Sequence, residues 1–370
     1  MLLIVYVITI FAGLIFKRSK AVTFLIATVM YIISAYRTYD ADYNAYLISY
    51  NLLGSSDSYR YAGYTWLQRL FYNAGATFEQ YNKVFSLIVI MMMLYGISLL
   101  TKNINQVLSC YLVFSFPLDV VQMKTALANA MALIGIALVL TMKQEASDEK
   151  ELWLLRGKRR RLIGLVFLVL SCFIHFSSIF YILAIVVAQV IKNRRGVAIH
   201  MLTLLSIICV LLYSGLLVVL VRYAGSLNVV GDLDYIARWT TRVTRYGFLI
   251  YVIPILAAIF LCPRIGFRDR VVDSVQHEIA AFQITSVLLI PLLMLNGQYS
   301  RLIRIYMLMM YIYQARFVTD ESILDKKITI QSLSNLLVSC VAIGILFYFD
   351  IFLDYDLVLG AILRYNSLIS

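Results

Sequence analysis

Two arginines near the end of the sequence are its best candidates for binding an anion. Arg301 and Arg304 lie in "NGQYSRLIRIY" at 296–306, where a helix start would put both side chains on one side. Two adjacent guanidinium groups repel each other unless an anion lies between them, and each presents a fork of donors that matches phosphate oxygens. The pair therefore predicts a phosphate site. The alternative is that each arginine extends to the membrane interface or pairs with an acid.

A second charged segment, "AYRTYDADYNAYLISYN" at 35–51, combines a cation, two acids and tyrosines at helical spacing. The candidate residues are Arg37, Asp40, Asp42, Tyr43 and Tyr46. The acids could act as general bases and the tyrosines could contact substrate. The alternative is a solvated loop whose tyrosines belong to the aromatic belt of a membrane interface.

A third candidate is His175, in the apolar run "SCFIHFSSIF" at 171–180. An ionisable side chain is costly inside a membrane and usually lines a cavity, so His175 is expected at the tip of a helical hairpin. It is a candidate general base, or a residue that only hydrogen-bonds a neighbouring helix. A fourth segment, "LDVVQMKTALANA", adds Asp119, Gln122 and Lys124 at the mouth of a helix pair.

The composition is that of a polytopic membrane protein. Of the 370 residues, 62% are hydrophobic, and the mean hydropathy is +0.85, whereas soluble domains are about half apolar. In a membrane protein the lysines and arginines behind a net charge of +12 mark the loops that stay cytoplasmic. The positive charge therefore does not indicate nucleic acid as a partner. No paired cysteine spacing, P-loop, dinucleotide fingerprint or zinc motif is present, so neither a cofactor nor a metal is expected.

The basic clusters predict the topology, because short loops rich in lysine and arginine stay cytoplasmic. They lie at 17–20, 143–161, 192–195, 264–270 and 316–327. An even number of crossings between clusters gives an all-α fold of about twelve transmembrane or re-entrant helices. The chain is read as one domain, 1–370, with external segments 37–82 and 222–246. Its external cations are mostly arginines, and they include Arg242 and Arg245 as candidate substrate contacts.

The order of these segments resembles the EpsG-type branch of the Wzy-like polysaccharide polymerases over nearly the whole chain. The matching features are Arg37 and an Asp-Tyr step after the second helix, "Q-x-K-x-A-x-A" from Gln122, "FIHFSS" at 173–178 and "SRLIRIYM" at 300–307. Carried over by motif, the functional positions are Arg37, Asp42, Tyr43, Tyr46, Gln122, Lys124, His175, Arg301 and Tyr306.

The resemblance implies a GT-C-like membrane glycosyltransferase in a bacterial cytoplasmic membrane. Such an enzyme transfers a growing glycan from undecaprenyl diphosphate to a sugar hydroxyl of the next lipid-linked unit, at the outer face. In this interpretation Arg37, Arg301, Arg304 and Lys124 bind the diphosphate. His175, Asp40 and Asp42 are candidate bases. Partners are lipid-linked oligosaccharides and membrane lipids, with a flippase and a chain-length regulator as candidates.

Two other functions fit the same residues. A flippase for a lipid-linked sugar would line its path with arginines and use broken helices as hinges, and an O-antigen-ligase-like transferase would use similar chemistry on another acceptor. The linkage, the sugars, the processivity and the oligomeric state are not encoded in any local pattern of this sequence.

Overall fold

The computed structural model is helical throughout the residues that it describes. These residues are 1–54, 62–140, 150–193, 248–266, 274–295, 297–317 and 326–368, with positions 207, 219 and 223 in isolation. Within these ranges the only extended pairing is an isolated bridge between Arg37 and Asn366. The all-α prediction is therefore confirmed for the described part of the chain.

The helices follow the chain in this order: α1 (Leu2–Ile15), α2 (Lys20–Ala35), α3 (Tyr43–Asn51), α4 (Ala62–Asn73), α5 (Phe78–Leu100), α6 (Ile104–Val113), α7 (Ser115–Val121), α8 (Met123–Leu140), α9 (Lys150–Ile174), α10 (Ile179–Asn193), α11 (Leu249–Gly266), α12 (Ser274–Ile284), α13 (Leu289–Leu295), α14 (Ile303–Phe317), α15 (Lys326–Phe347) and α16 (Leu359–Arg364). Short 3-10 turns occupy Phe176–Ser178, Thr285–Leu288 and Gly297–Leu302, and a π-helical turn occupies Tyr348–Phe352.

Two of these helices, α5 and α8, are long and apolar enough to cross a membrane. A third candidate is the pair α6 and α7, which is bent by 64°. Shorter apolar helices accompany them, and large apolar side chains such as Phe11, Phe24 and Phe173 point outward. A surface of this kind is suited to lipid. The predicted total of about twelve transmembrane or re-entrant helices is not confirmed by the described residues, and neither is the GT-C-like architecture.

Helix α8 lies at the centre of the bundle, packed against α5 and α9. Glycines allow α8 and α9 to approach closely. A Cβ atom on Gly135 would lie 2.8 Å from the backbone oxygen of Gly164, and one on Gly164 would lie 2.9 Å from that of Gly135. Small residues at a helix contact are typical of packing in membranes, where the gain comes from van der Waals contact.

Basic and polar residues join several helices at one end of the bundle, called the basic end here. Arg18 donates to Asn103 at 2.8 Å, Asn103 donates to the carbonyl of Ala315 at 2.5 Å, and Arg316 donates to the carbonyl of Leu100. The turn between α1 and α2 therefore lies beside the end of α14. Two of the basic clusters, at 17–20 and 316–327, thus begin at the same end of the bundle.

The breaks between helices agree in part with the sequence-based expectation. A break near His175 is confirmed, because α9 ends at Ile174 and His175 has an extended backbone. Two further breaks, at Phe114 and Gln122, flank the short helix α7. Pro117 lies in the first turn of α7, where a missing N–H removes no helical hydrogen bond.

Residues 357–366 are hydrogen-bonded to residues 36–41, at the end of the bundle opposite the basic end. This contact is called the clasp. The N–H of Thr38 donates to the carbonyl of Tyr365 at 2.9 Å, and that of Ala41 donates to Leu357 at 3.1 Å. The side chain of Asn366 donates to the carbonyl of Ile32 at 2.9 Å. These bonds hold a short connection that has no helix of its own.

The α8–α9 contact leads to a stability prediction. Gly135→Ala should lower the free energy of unfolding by about 1–3 kcal/mol, because the added Cβ would meet a backbone oxygen that cannot move aside. The measurement is the unfolding temperature of the detergent-purified protein. Gly344→Ala is the matched control, since nothing lies within 4 Å of its added Cβ. Equal unfolding temperatures for the two variants would contradict the close approach.

Candidate active site

A buried ion pair joins two distant parts of the chain at the end of the bundle opposite the basic end. Arg304, at the start of α14, lies 2.5 Å from a carboxylate oxygen of Asp119 in α7, and both side chains are 4% exposed. Tyr111 donates to the other carboxylate oxygen at 2.7 Å, and Arg304 also donates to the side chain of Gln122. Each charge therefore has further partners, as buried charges require.

The same break between α7 and α8 presents Lys124. Its ammonium nitrogen lies 5.5 Å from the ring centres of both Tyr46 and Tyr64, a cation–π arrangement. Tyr46 and Tyr64 pack against each other with ring centres 6.2 Å apart. Residues of α3 and α4 thus contact the first turn of α8, and Lys124 is partly buried between them.

His175 lies in the turn between α9 and α10, outside both helices. Its ring nitrogen Nδ1 lies 2.6 Å from the hydroxyl of Ser177, and its backbone N–H donates to the carbonyl of Ser171 at 2.9 Å. The 3-10 turn that follows it contacts both α8 and the turn Gly297–Leu302. Tyr181 in α10 links α8 to the turn Gly297–Leu302. Its hydroxyl donates to Asn129 of α8 at 3.1 Å and lies within 3.4 Å of the Leu302 carbonyl.

The positive charges of three side chains act on this histidine. Burial, followed by the positive charges of Arg301, Lys124 and Arg304, lowers the pKa of His175 to about 4. The imidazole is therefore neutral at pH 7 and can accept a hydrogen bond or a proton. Arg301 itself is held at the end of the turn by a hydrogen bond to Gln298. The arginine pair and the histidine, which the sequence analysis proposed separately, thus lie in one neighbourhood.

Arg37 and Asp40 form a second buried ion pair, with 2.8 Å between the Arg37 Nε and a carboxylate oxygen of Asp40. Arg37 also donates to the carbonyl of Val120, and Asp40 accepts the N–H of Asp42 at 2.9 Å. Burial raises the pKa of Asp40, although the Arg37 guanidinium and the N–H of Asp42 act to lower it. Both side chains are engaged with the protein itself.

The end of α2 sets the position of that second pair. Asn82, buried in the first turns of α5, donates to the carbonyls of Ser34 and Ala35 at 3.0 and 3.1 Å. These carbonyls end α2 and have no helical partner. Arg37 and Asp119 line a common small cavity of about 30 Å³ whose other walls are mostly apolar, so the two ion pairs are neighbours.

Tyr46 is influenced by charges from both the Arg37–Asp40 segment and the neighbourhood of Lys124. Burial, followed by the negative charge of Asp42, raises the pKa of Tyr46, whereas the N–H of Lys124 and the positive charges of Arg37 and Arg301 lower it. Tyr43 lies one turn earlier on the same face and packs edge-to-face on Phe78. Both tyrosines are buried in this structure.

Other predicted residues are not brought to this neighbourhood. Tyr306 is fully buried, with its ring stacked on Phe282 at 4.8 Å and its hydroxyl 2.9 Å from that of Thr285, so it belongs to the core. Arg242 and Arg245 lie outside the described residues, as does most of the segment 222–246. Among the described residues no group of three or more potential metal ligands is present.

Several site residues were missed by sequence reasoning. Tyr64, Tyr111 and Tyr181 each contact a predicted residue or the elements that carry it. Tyrosine is abundant in this chain, with 27 copies, so type alone could not distinguish them. Asn129 could have pointed to one of these contacts, because a polar amide inside an apolar helix indicates a hydrogen bond to a neighbouring helix, here from Tyr181.

The fold and the site together define an all-helical membrane protein with a cationic site at one end of its bundle. The chain belongs to the EpsG family, whose family model matches residues 20–367. This match confirms the resemblance seen in the sequence and makes the chain a membrane protein of the polysaccharide polymerase type, with a glycosyltransferase-like activity. No curated protein and no solved structure matched the chain in the same comparisons.

The Asp119–Arg304 pair leads to a prediction about stability. Asp119→Ala should destabilise the protein by about 3–5 kcal/mol, because it leaves the Arg304 charge buried without its carboxylate. The double variant Asp119→Leu with Arg304→Met should recover part of this loss. Unfolding temperatures of the purified proteins measure both effects. A double variant less stable than Asp119→Ala would contradict the assignment.

His175 leads to a prediction about pH. Its folded-state pKa of about 4 lies below the ordinary value of 6.5, so the unfolded chain binds a proton between these values that the folded chain does not. Stability from this group is complete above pH 6.5 and is lost as the pH falls toward 4. His175→Gln should therefore lose less stability than the wild type between pH 7.5 and 5. Identical losses in unfolding temperature would refute the prediction.

Proposed function

We propose that this protein is a polysaccharide polymerase that joins lipid-linked oligosaccharide units at the outer face of a bacterial cytoplasmic membrane. The observation that carries the proposal is a packing contact: the turn after His175 packs against α8, which carries Lys124, and against the turn that carries Arg301. In this proposal the donor is a polyprenyl diphosphate, whose two phosphates carry the negative charge that such a group of cations would bind.

The reaction makes one bond and breaks one. The hydroxyl oxygen of the acceptor sugar bonds to the anomeric carbon of the donor glycan, and the bond from that carbon to the phosphate oxygen breaks. The electron pair of the broken bond leaves on the polyprenyl diphosphate, and the hydroxyl proton passes to a base. Fixed cations near the leaving group lower the barrier, because they stabilise charge that grows in the transition state.

Lys124 and Arg301 are the proposed diphosphate contacts. Both are only partly buried, at helix breaks where a ligand can approach. Arg304 is placed behind them, since its guanidinium is held by Asp119 and Gln122. In the same way Arg37 is held by Asp40 and Val120. We assign Arg304 and Arg37 to positioning the helix breaks and adding positive potential rather than to direct phosphate contact.

His175 is the proposed base. Burial and three nearby cations lower its pKa, and a bound diphosphate would offset the cations, so proton uptake by the imidazole becomes easier once the donor is in place. Asp40 suits this role less, because its carboxylate is buried against Arg37. Asp42, partly buried where α3 begins, is the second candidate. Tyr43, Tyr46, Gln122 and Asp119 then support the site from its walls.

The orientation in the membrane follows from the two ends of the bundle. The basic end, with Arg18 and Arg316, is proposed to face the cytoplasm, since short loops rich in arginine and lysine stay there. The end that carries Lys124 and His175 would then face outward. The twelve-helix GT-C-like arrangement, undecaprenyl as the carrier, and a flippase and chain-length regulator as partners belong to the same proposal.

Replacing the proposed phosphate contacts tests this function. Lys124→Met and Arg301→Ala should each lower the rate of polymer formation by about 100-fold or more, the loss typical of one preorganised charge contact. Lys124→Arg keeps the charge and should retain measurable activity. The assay is extension of lipid-linked repeat units by purified protein in detergent, with products separated by size.

Arg364→Ala is the matched control, because Arg364 is an exposed arginine whose pairing partner is the exposed Asp356. Normal polymer from purified Lys124→Met and Arg301→Ala would overturn the site assignment. Detergent also separates the proposal from a flippase, which needs two compartments. Wild-type protein that extends no substrate there, while its absence from cells traps lipid-linked units inside, would favour the flippase. Transfer to another acceptor without chain growth would favour a ligase.

A further inference from the structure

A groove on the surface formed by α3, α4 and α5 is distinct from the cation site. It is an open groove of about 560 Å³ between the end of α3, the turn before α5 and the first turn of α5. Its lining residues include Tyr50, Asn51, Tyr72, Phe78 and Glu79. A volume of this size is within the range of pockets that hold small ligands.

The aromatic wall of the groove is preorganised. Tyr72 is 37% exposed, and its ring lies edge-on to the buried ring of Tyr50 at 5.8 Å. Tyr50 also contacts Phe78 at 5.8 Å. An exposed ring that is held in place by buried rings loses little conformational freedom when a ligand stacks on it.

The turn that forms the floor is equally well fixed. The Tyr50 hydroxyl donates to the carbonyl of Ala76 at 2.9 Å. Gly75 has a φ of +77° with nothing within 4 Å of an added Cβ, so the glycine is needed for backbone conformation rather than for space. Thr77 and Gln80 then close a capping box at the start of α5. The floor therefore presents backbone and hydroxyl groups at fixed positions.

The chemistry of the lining differs from that of the cation site. Its polar side chains include the amide of Asn51, the hydroxyl of Thr77 and the carboxylate of Glu79, beside the two tyrosine hydroxyls. Its described lining residues include no lysine or arginine. Such a lining is unsuited to phosphate. It matches a pyranose ring, which offers an apolar C–H face to an aromatic ring and a rim of hydroxyls to amide and carboxylate groups.

The groove is one helical turn away from a residue that contacts the proposed reaction site. Tyr50 and Tyr46 are one turn apart on the buried face of α3, a rise of about 6 Å, and Tyr46 contacts Lys124. We propose that this groove is a glycan subsite, which holds uncharged sugar rings of the oligosaccharide whose diphosphate or acceptor end lies near Lys124. This proposal rests on the proposed function, because it takes the substrate to be a glycan.

Direct binding tests the subsite. The probe is a set of oligosaccharides made by partial acid hydrolysis of the cell's own extracellular polysaccharide, and their binding to full-length protein in detergent is followed by saturation-transfer NMR. Tyr72→Ala should weaken binding about fivefold to tenfold, the effect of losing one stacked ring. Tyr72→Phe keeps the ring and should bind within about twofold of the wild type.

Two further variants keep the test decisive. Glu79→Gln changes an exposed carboxylate of the rim and should weaken binding severalfold without altering the stacked rings. Tyr365→Ala is the matched control, since Tyr365 is 50% exposed and lies edge-on to Tyr39 at 5.2 Å, outside the groove. Unchanged binding in both Tyr72→Ala and Glu79→Gln would overturn the subsite, and so would an equal loss in Tyr365→Ala.

The polymer assay separates failure of the subsite from failure of the proposed function. If the wild type forms polymer and the groove variants bind oligosaccharide normally, the subsite alone is refuted. If oligosaccharides bind through Tyr72 but the wild type extends no lipid-linked unit, the polymerase function is refuted and the glycan subsite stands. When both hold, Tyr72→Ala should raise KM for the lipid-linked substrate with little change in kcat.

Discussion

The architecture of the site depends on one buried ion pair, that between Asp119 and Arg304. These residues are 185 positions apart in the chain, and their contact fixes the start of α14 against the break between α7 and α8. Lys124 follows that break directly, and the turn that carries Arg301 precedes α14. An ion pair removed from water is costly unless its hydrogen bonds are complete, and here Tyr111 and Gln122 complete them. The position of the other cations is therefore set by a contact that is not itself available to substrate.

Interrupted helices are the second common feature. The chain leaves α-helical geometry at Gln122, at His175 and through the 3-10 turn Gly297–Leu302, and these breaks lie at one end of the bundle. Within a membrane, irregular backbone is tolerated where protein buries it or where it lines a polar cavity. Tyr181 bonds across two of the breaks, so the site is built from short backbone segments that are supported by neighbouring helices.

Local sequence patterns predicted the all-helical fold better than the contacts between distant helices. The break at His175 followed from an ionisable residue in an apolar run, because such a residue is costly inside a membrane and marks the tip of a hairpin. No local pattern could pair Arg304 with Asp119 or put Lys124 between Tyr46 and Tyr64, because such contacts depend on how distant helices pack. Tyr306, a position carried over from the family motif, lies stacked on Phe282 in the core, a packing contact that its local sequence does not predict.

The clasp between residues 36–41 and the segment near Tyr365 has a consequence for biosynthesis. A ribosome releases the first of these segments early, and its hydrogen-bonding partner emerges some 327 residues later. The Arg37 connection must wait in the membrane without that support while the intervening helices insert. Formation of this connection is therefore coupled to insertion of the segment near Tyr365, and a nascent chain that lacks the segment would hold Arg37 without these hydrogen bonds.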